Sequence, residues 1–75
     1  MRDIETTDIV LAAYLKLCGC ALSSIEMDDK KKGIFCFTNV DEKVLIDYDL
    51  GQAQVEPIAF NNIIRTLTRA TRRLM

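Results

Sequence analysis

Along the last third of the chain, Phe60, Ile63, Ile64, Leu67, Ala70, Thr71 and Leu74 recur at three- and four-residue steps. That spacing draws one stripe on a helix and predicts an amphipathic element from Pro57 to Leu74. Pro57 suits the first helical position, and Glu56 before it is the expected N-cap, its charge facing the positive end of the helix dipole. Val55 and Phe60 stand at the spacing of a hydrophobic staple. At about 1.5 Å per residue the helix would run about 27 Å, the width of a small domain. Nearer the start, Thr7 to Cys18 reads TDIVLAAYLKLC, with Lys16 the only charge between Ile9 and Cys18. Thr6 or Thr7 can cap this helix, Asp8 suits its first turn, and Gly19 ends it. A helix apolar nearly all round is expected to be buried on more than one side. Its small residues would let a neighbour come close, so Ile9, Ala12, Ala13 and Leu17 form a candidate protein interface. The other way to satisfy the same pattern is to sandwich the helix between a hairpin and the last helix.

Between these helices the period changes. Cys20 to Met27 and Ile34 to Thr38 read as strands, the second with Phe35 and Phe37 on one face. The charged connection DDKKKG, ending in Gly33, is a hairpin loop. Leu22, Ser24 and Ile25 interrupt the alternation of the first strand, which predicts a bulge near Ser23 to Ile25. In this register Met27 faces Ile34 and Ile25 faces Cys36. Asn39 and Glu42 are spaced as a capping box for a helix that closes at Gly51, with Val40, Val44, Leu45 and Tyr48 inward and Asp41, Lys43, Asp47 and Asp49 outward. The order is α-β-β-α-α. The expected fold is a single α+β domain spanning residues 1–75, a two-stranded antiparallel hairpin covered by three helices with the long helix last. A hairpin alone is marginal in water, so the helices must cover its phenylalanine face.

Composition sharpens this picture in two ways. Hydrophobic residues make up 49% of the 75, yet a chain of this size buries only about 60–65% of its unfolded surface. Some apolar surface is therefore expected to meet another chain. Net charge is −1, which gives no overall pull towards nucleic acid, but the charge is segregated. Asp41, Glu42, Asp47, Asp49 and Glu56 face a lone Lys43, while the chain from Pro57 onward has Arg65, Arg69, Arg72 and Arg73 and no acid. Those arginines, with Asn61 and Asn62, form a candidate contact for nucleic acid or another anionic partner. Solvated cations complementing the negative end of a helix would give the same pattern. No apolar run is long enough to span a membrane. The acidic start lacks the basic region of a signal peptide, so secretion by that route is not expected. Three cysteines fit free thiols in a reducing compartment.

The chain offers little for catalysis. It has no histidine, which removes the usual general base and the commonest metal ligand. Cys18, Cys20 and Cys36 fall short of a zinc set, and Cys20 lies too far down the hairpin to bridge to Cys36. Asp47-x-Asp49-x-Gly51 begins like a calcium loop, but the glycine comes one position early and Ile58 occupies the twelfth place. No phosphate-binding glycine motif is present. The expectation is a protein that is not an enzyme, with no catalytic residues, cofactor, metal or small-molecule substrate.

Thr7, Asp8, Leu11, Ala12, Ala13, Tyr14, Leu15, Gly19, Phe35, Phe37, Pro57 and Phe60 form a pattern: a Thr-Asp start, a Leu-Ala-Ala-Tyr-Leu helix, a glycine, an F-x-F strand and a Pro-Phe helix start. It resembles short uncharacterised proteins of tailed phages and prophages. The resemblance covers most of the chain, implies a phage setting in the virion or host cytoplasm, and supplies no catalytic residues. The leading expectation is a phage-type interaction protein, an oligomeric structural or assembly component of a virion that contacts itself or other phage proteins. The alternatives are a nucleic-acid-binding accessory protein using the arginine face, and a small inhibitor that presents its acidic helix to a host protein.

Overall fold

The computed structural model describes residues 2–74. Its elements are β1 (Arg2–Thr6), α1 (Ile9–Leu17), β2 (Ala21–Met27), β3 (Gly33–Val40), α2 (Glu42–Asp49) and α3 (Pro57–Arg73). The fold is α+β, with three helices and α3 last. The sheet, however, has three strands in the order β1-β3-β2, both neighbours antiparallel to β3. β1 and β2 therefore run parallel to each other, and α1 is the crossover between them. The N-terminal strand departs from the expected two-stranded hairpin. Among its residues only Ile4 is a hydrophobe that joins the core, too weak a signal for a strand until β3 offers a free edge to pair with.

The core consists of Ala12, Ala13 and Leu15 from α1, Phe35, Phe37 and Val40 from β3, and Leu67 from α3. Two bulges bring its strand residues into line. On β2, Leu22 faces Phe37 and Ser24 faces Cys36, so Ser23 is an extra residue; its hydroxyl donates to the Cys36 carbonyl at 3.0 Å. The bulge lets Leu22 and Ile25, three residues apart, both turn inward, as the interrupted alternation suggested. The register beyond it lies one residue from the expected one, with Ile25 opposite Phe35 and Met27 opposite Gly33. On β3, Phe37 faces Ile4 and Val40 faces Arg2, so Thr38 and Asn39 together oppose Asp3. Asn39 takes a left-handed backbone, φ 54°, and this shift of phase turns Val40 into the core.

Helix ends follow local chemistry, with corrections. The cap of α1 is Asp8, whose carboxylate accepts from Val10 N–H at 2.9 Å; Thr6 instead accepts from Asp8 N–H at 3.0 Å. The cap of α2 is Asp41, accepting from Lys43 N–H at 3.0 Å. Asn39 cannot form the expected capping box with Glu42, because it is still in β3. Gly19 and Gly51 end α1 and α2 at φ 85° and 72°. In each case the residue after the glycine donates back to the helix, Cys20 to the Leu15 carbonyl and Gln52 to that of Asp47, closing a Schellman turn.

α1 packs chiefly on α3, with lighter contacts to β1 and β3, so this chain's own elements bury the middle of the helix, Ala12 to Leu15, while Val10 stays exposed. α2 is held more lightly. It buries no residue completely; Val44 and Leu45 rest against the core edge, and Tyr48 stacks on Tyr14 with ring centres 5.6 Å apart.

Candidate anion-binding face

α3 owes its position to both ends of its sequence. Pro57 opens it, and the Glu56 carboxylate accepts from Ile58 N–H at 3.1 Å and from Ala59 N–H. Leu67 is buried in the core, and Phe60, Ile63 and Ile64 pack against the same core. With that stripe turned inward, helical spacing directs Asn61, Asn62, Arg65, Arg69, Arg72 and Arg73 outward, and all six are exposed. Ile58 shares this face and is 71% exposed. Among the described residues the ion pair present joins Arg2 to Glu42 at 3.8 Å, and none joins a carboxylate to an arginine of α3.

The face is grooved. A cleft of about 300 Å³ is lined by Ile64, Arg65, Thr68, Arg69 and Arg72. Beside it, sharing Thr68 and Arg72, lies a second cleft of about 340 Å³. Ile9, Gly33 and Phe35 give the second cleft its apolar part, Thr7 and Thr71 add hydroxyls, and Lys32 stands with Arg72 as its second cation. No carboxylate lines either cleft. Lys32 reaches this place because β3 begins against the end of α3. A Cβ built on Gly33 would come within 2.8 Å of Thr71 Cγ2, so glycine leaves room here that any larger residue could gain only by displacing the Thr71 side chain. The hairpin turn is shaped by Asp28, whose carboxylate accepts from Lys30 N–H at 2.9 Å and Lys32 N–H at 2.8 Å. Sequence spacing separates Lys32 from the arginines by more than thirty positions, and nothing local announces that they meet.

The candidate protein interface fares differently. Ala12 and Ala13 are fully buried in this chain's own core, so they cannot meet a second chain; the close approach they permit is already used inside the domain. Ile9 lines the Lys32–Arg72 cleft, and Leu17 is half-buried. A different surface lies open on the side of α2. A groove of about 420 Å³ is lined by Ile4, Leu11, Leu45 and Ile46, with Glu5, Glu42 and Asp49 at its polar positions and Arg2 beside Glu42.

Cys18, Cys20 and Cys36 are free thiols, Cys18 exposed and the other two half-buried. Burial, aided by the nearby Cys18 and Asp41, pushes the Cys20 thiol up, which leaves it a poor nucleophile. The Tyr48 hydroxyl is also pushed up, first by burial and then by the charge of Asp8, to which it donates a hydrogen bond at 3.3 Å. Among the described residues no group of three or more histidine, cysteine or acidic side chains is placed to hold a metal. No helix among them is long and apolar enough to cross a membrane.

One protein-family model, described as a domain of unknown function (DUF5659), matches residues 1–70. No curated protein and no solved structure matches the chain.

Proposed function

Starting from a chain that belongs to the DUF5659 family of unknown function, we propose a non-enzymatic interaction protein of a phage setting, a structural or assembly component that works as several copies. The observation that carries this reading is α2. A helix that buries no residue completely and leaves Ile46 at 53% and the following Leu50 at 65% exposure has apolar surface left uncovered. A partner laid on it would complete the burial. The resemblance of the Leu11–Leu15 helix and the Phe35–Phe37 strand to tailed-phage proteins supplies the setting. Light scattering across a concentration series tests the reading. Species larger than a monomer at micromolar concentration are expected; a folded monomer at every concentration overturns it.

The four arginines favour a second reading, a nucleic-acid-binding accessory protein. Their guanidinium groups share one face, and Lys32 stands across the adjoining cleft. Binding to a short fluorescent DNA duplex over a salt series decides it. Four engaged arginines would give a slope of log K against log salt of roughly −3 to −4. No binding at low salt leaves the arginines as a protein-contact or merely solvated face.

A further inference from the structure

We propose that the outward face of α3 docks into the α2 groove of a second copy of this chain, so that copies join head to tail. This rests on the assembly reading above and names its interface.

The groove and the face complement each other in charge, spacing and chemistry. On α2, Glu42, Leu45, Ile46 and Asp49 recur at three- and four-residue steps and all line the groove, which places them on one side of the helix. The groove therefore has an apolar strip, extended by Ile4 and Leu11, flanked by three carboxylates against the single guanidinium of Arg2. On α3, the arginine face carries four cations and no acid. Glu42 and Asp49 stand seven residues apart, two helical turns or about 10.5 Å. Arg65 and Arg72 have the same separation on α3, so both pairs can meet in one alignment. The methylene stems of the arginines can cover the apolar strip while their heads reach the carboxylates. Arg69 lies between them and faces the same strip.

Both surfaces can be engaged at once. The groove is built from β1, α1 and α2, while the cleft along the arginine face is built from α3 alone, and they share no residue. Two different surfaces that recognise each other form a heterologous contact. It propagates from copy to copy into a ring or an open filament rather than stopping at a symmetric dimer. Charge complementarity across it predicts assembly that weakens with salt, because the groups are exposed and screened within about 10 Å at 0.1 M.

Two variants test the pairing by sedimentation velocity at micromolar concentration. One carries Arg65→Glu and Arg72→Glu; the other carries Glu42→Gln and Asp49→Asn. All four positions are exposed, and circular dichroism confirms that each variant is folded. Wild type is expected to run as assemblies that weaken at least tenfold in apparent constant between low and high salt. Each variant alone is expected to be monomeric. Their equimolar mixture is expected to stop at a one-to-one pair, because one chain keeps the face and the other keeps the groove. Folded variants that assemble like wild type overturn the interface and leave the assembly reading standing. A wild type that stays monomeric at low salt overturns both, and binding of duplex DNA by that monomer, lost in the Arg65→Glu/Arg72→Glu variant, gives the face to nucleic acid.

Discussion

Asn39 holds one of two left-handed backbones among the non-glycine residues described, the other being Lys31 in the hairpin turn. Its position has a structural consequence out of proportion to its exposed side chain. The extra residue it makes with Thr38 turns Val40 inward, and Val40 is fully buried. Asparagine tolerates this conformation because its short polar side chain bonds locally, whereas most side chains pay about 1–2 kcal/mol there. The backbone N–H of Asn39 also donates to the Asp3 carboxylate at 3.4 Å, a bond that does not depend on the asparagine side chain. Asn39→Val is therefore expected to destabilise the domain by about 1–2 kcal/mol, and Asn39→Gly to leave it nearly unchanged. Urea unfolding of the two variants beside wild type checks this. Equal losses in both would mean that the side chain, not the backbone conformation, is what matters at this position.

At the scale of elements, α2 is fastened by a small aromatic latch. Tyr48 stacks on Tyr14 and donates to Asp8, the cap of α1. Burial and the Asp8 charge raise the Tyr48 hydroxyl above its ordinary value near 10. A group raised in the folded state holds its proton more tightly there, so its contribution is fully present below pH 10 and is lost as pH climbs through the raised value. Wild type is expected to lose stability as pH rises above 10, and Tyr48→Phe to lose less over the same range. At pH 7 that variant should cost at most about 1 kcal/mol, since Asp8 is exposed and regains water. Paired urea melts at pH 7 and pH 11 give the comparison, and an identical alkaline loss in both proteins would remove Tyr48 as its source. The latch also illustrates what a sequence conveys. Pro57, Gly19 and Gly51 mark helix ends because each acts through its own backbone, and the stripe from Phe60 to Leu74 marks α3 because its period is local. β1 is a different case: its edge pairing with β3 is decided by a partner about thirty or more residues away. The same holds for Lys32 beside Arg72, and for Ala12 and Ala13. Their small size called for a close neighbour, and only the packed fold identifies that neighbour as the chain's own core.

At the scale of the whole molecule, stability is unevenly spread. β3 is flanked on both sides by strands and supplies Phe35, Phe37 and Val40 to the core, so its amides open only when the domain unfolds. For 75 residues that costs roughly 4–11 kcal/mol. α2 has eight residues, none completely buried, and its lining of the groove leaves Ile46 and Asp49 to solvent. Its amides are expected to exchange through local opening at a free energy well below the global value. In dilute solution α2 should therefore exchange with deuterium faster than β3, at a rate that low urea barely changes. Raising the concentration into the range where copies join should slow α2, because docking of α3 from the next copy covers the groove, and should slow β3 too, because copies that bind only the folded chain raise the free energy of global unfolding. Slow exchange in α2 at high dilution would mean that the latch alone fixes the helix, and the open apolar side of α2 would then be ordinary surface. Slowing of the locally opening amides in α3 but not in α2 would place the contact on the arginine face with some partner surface other than the groove.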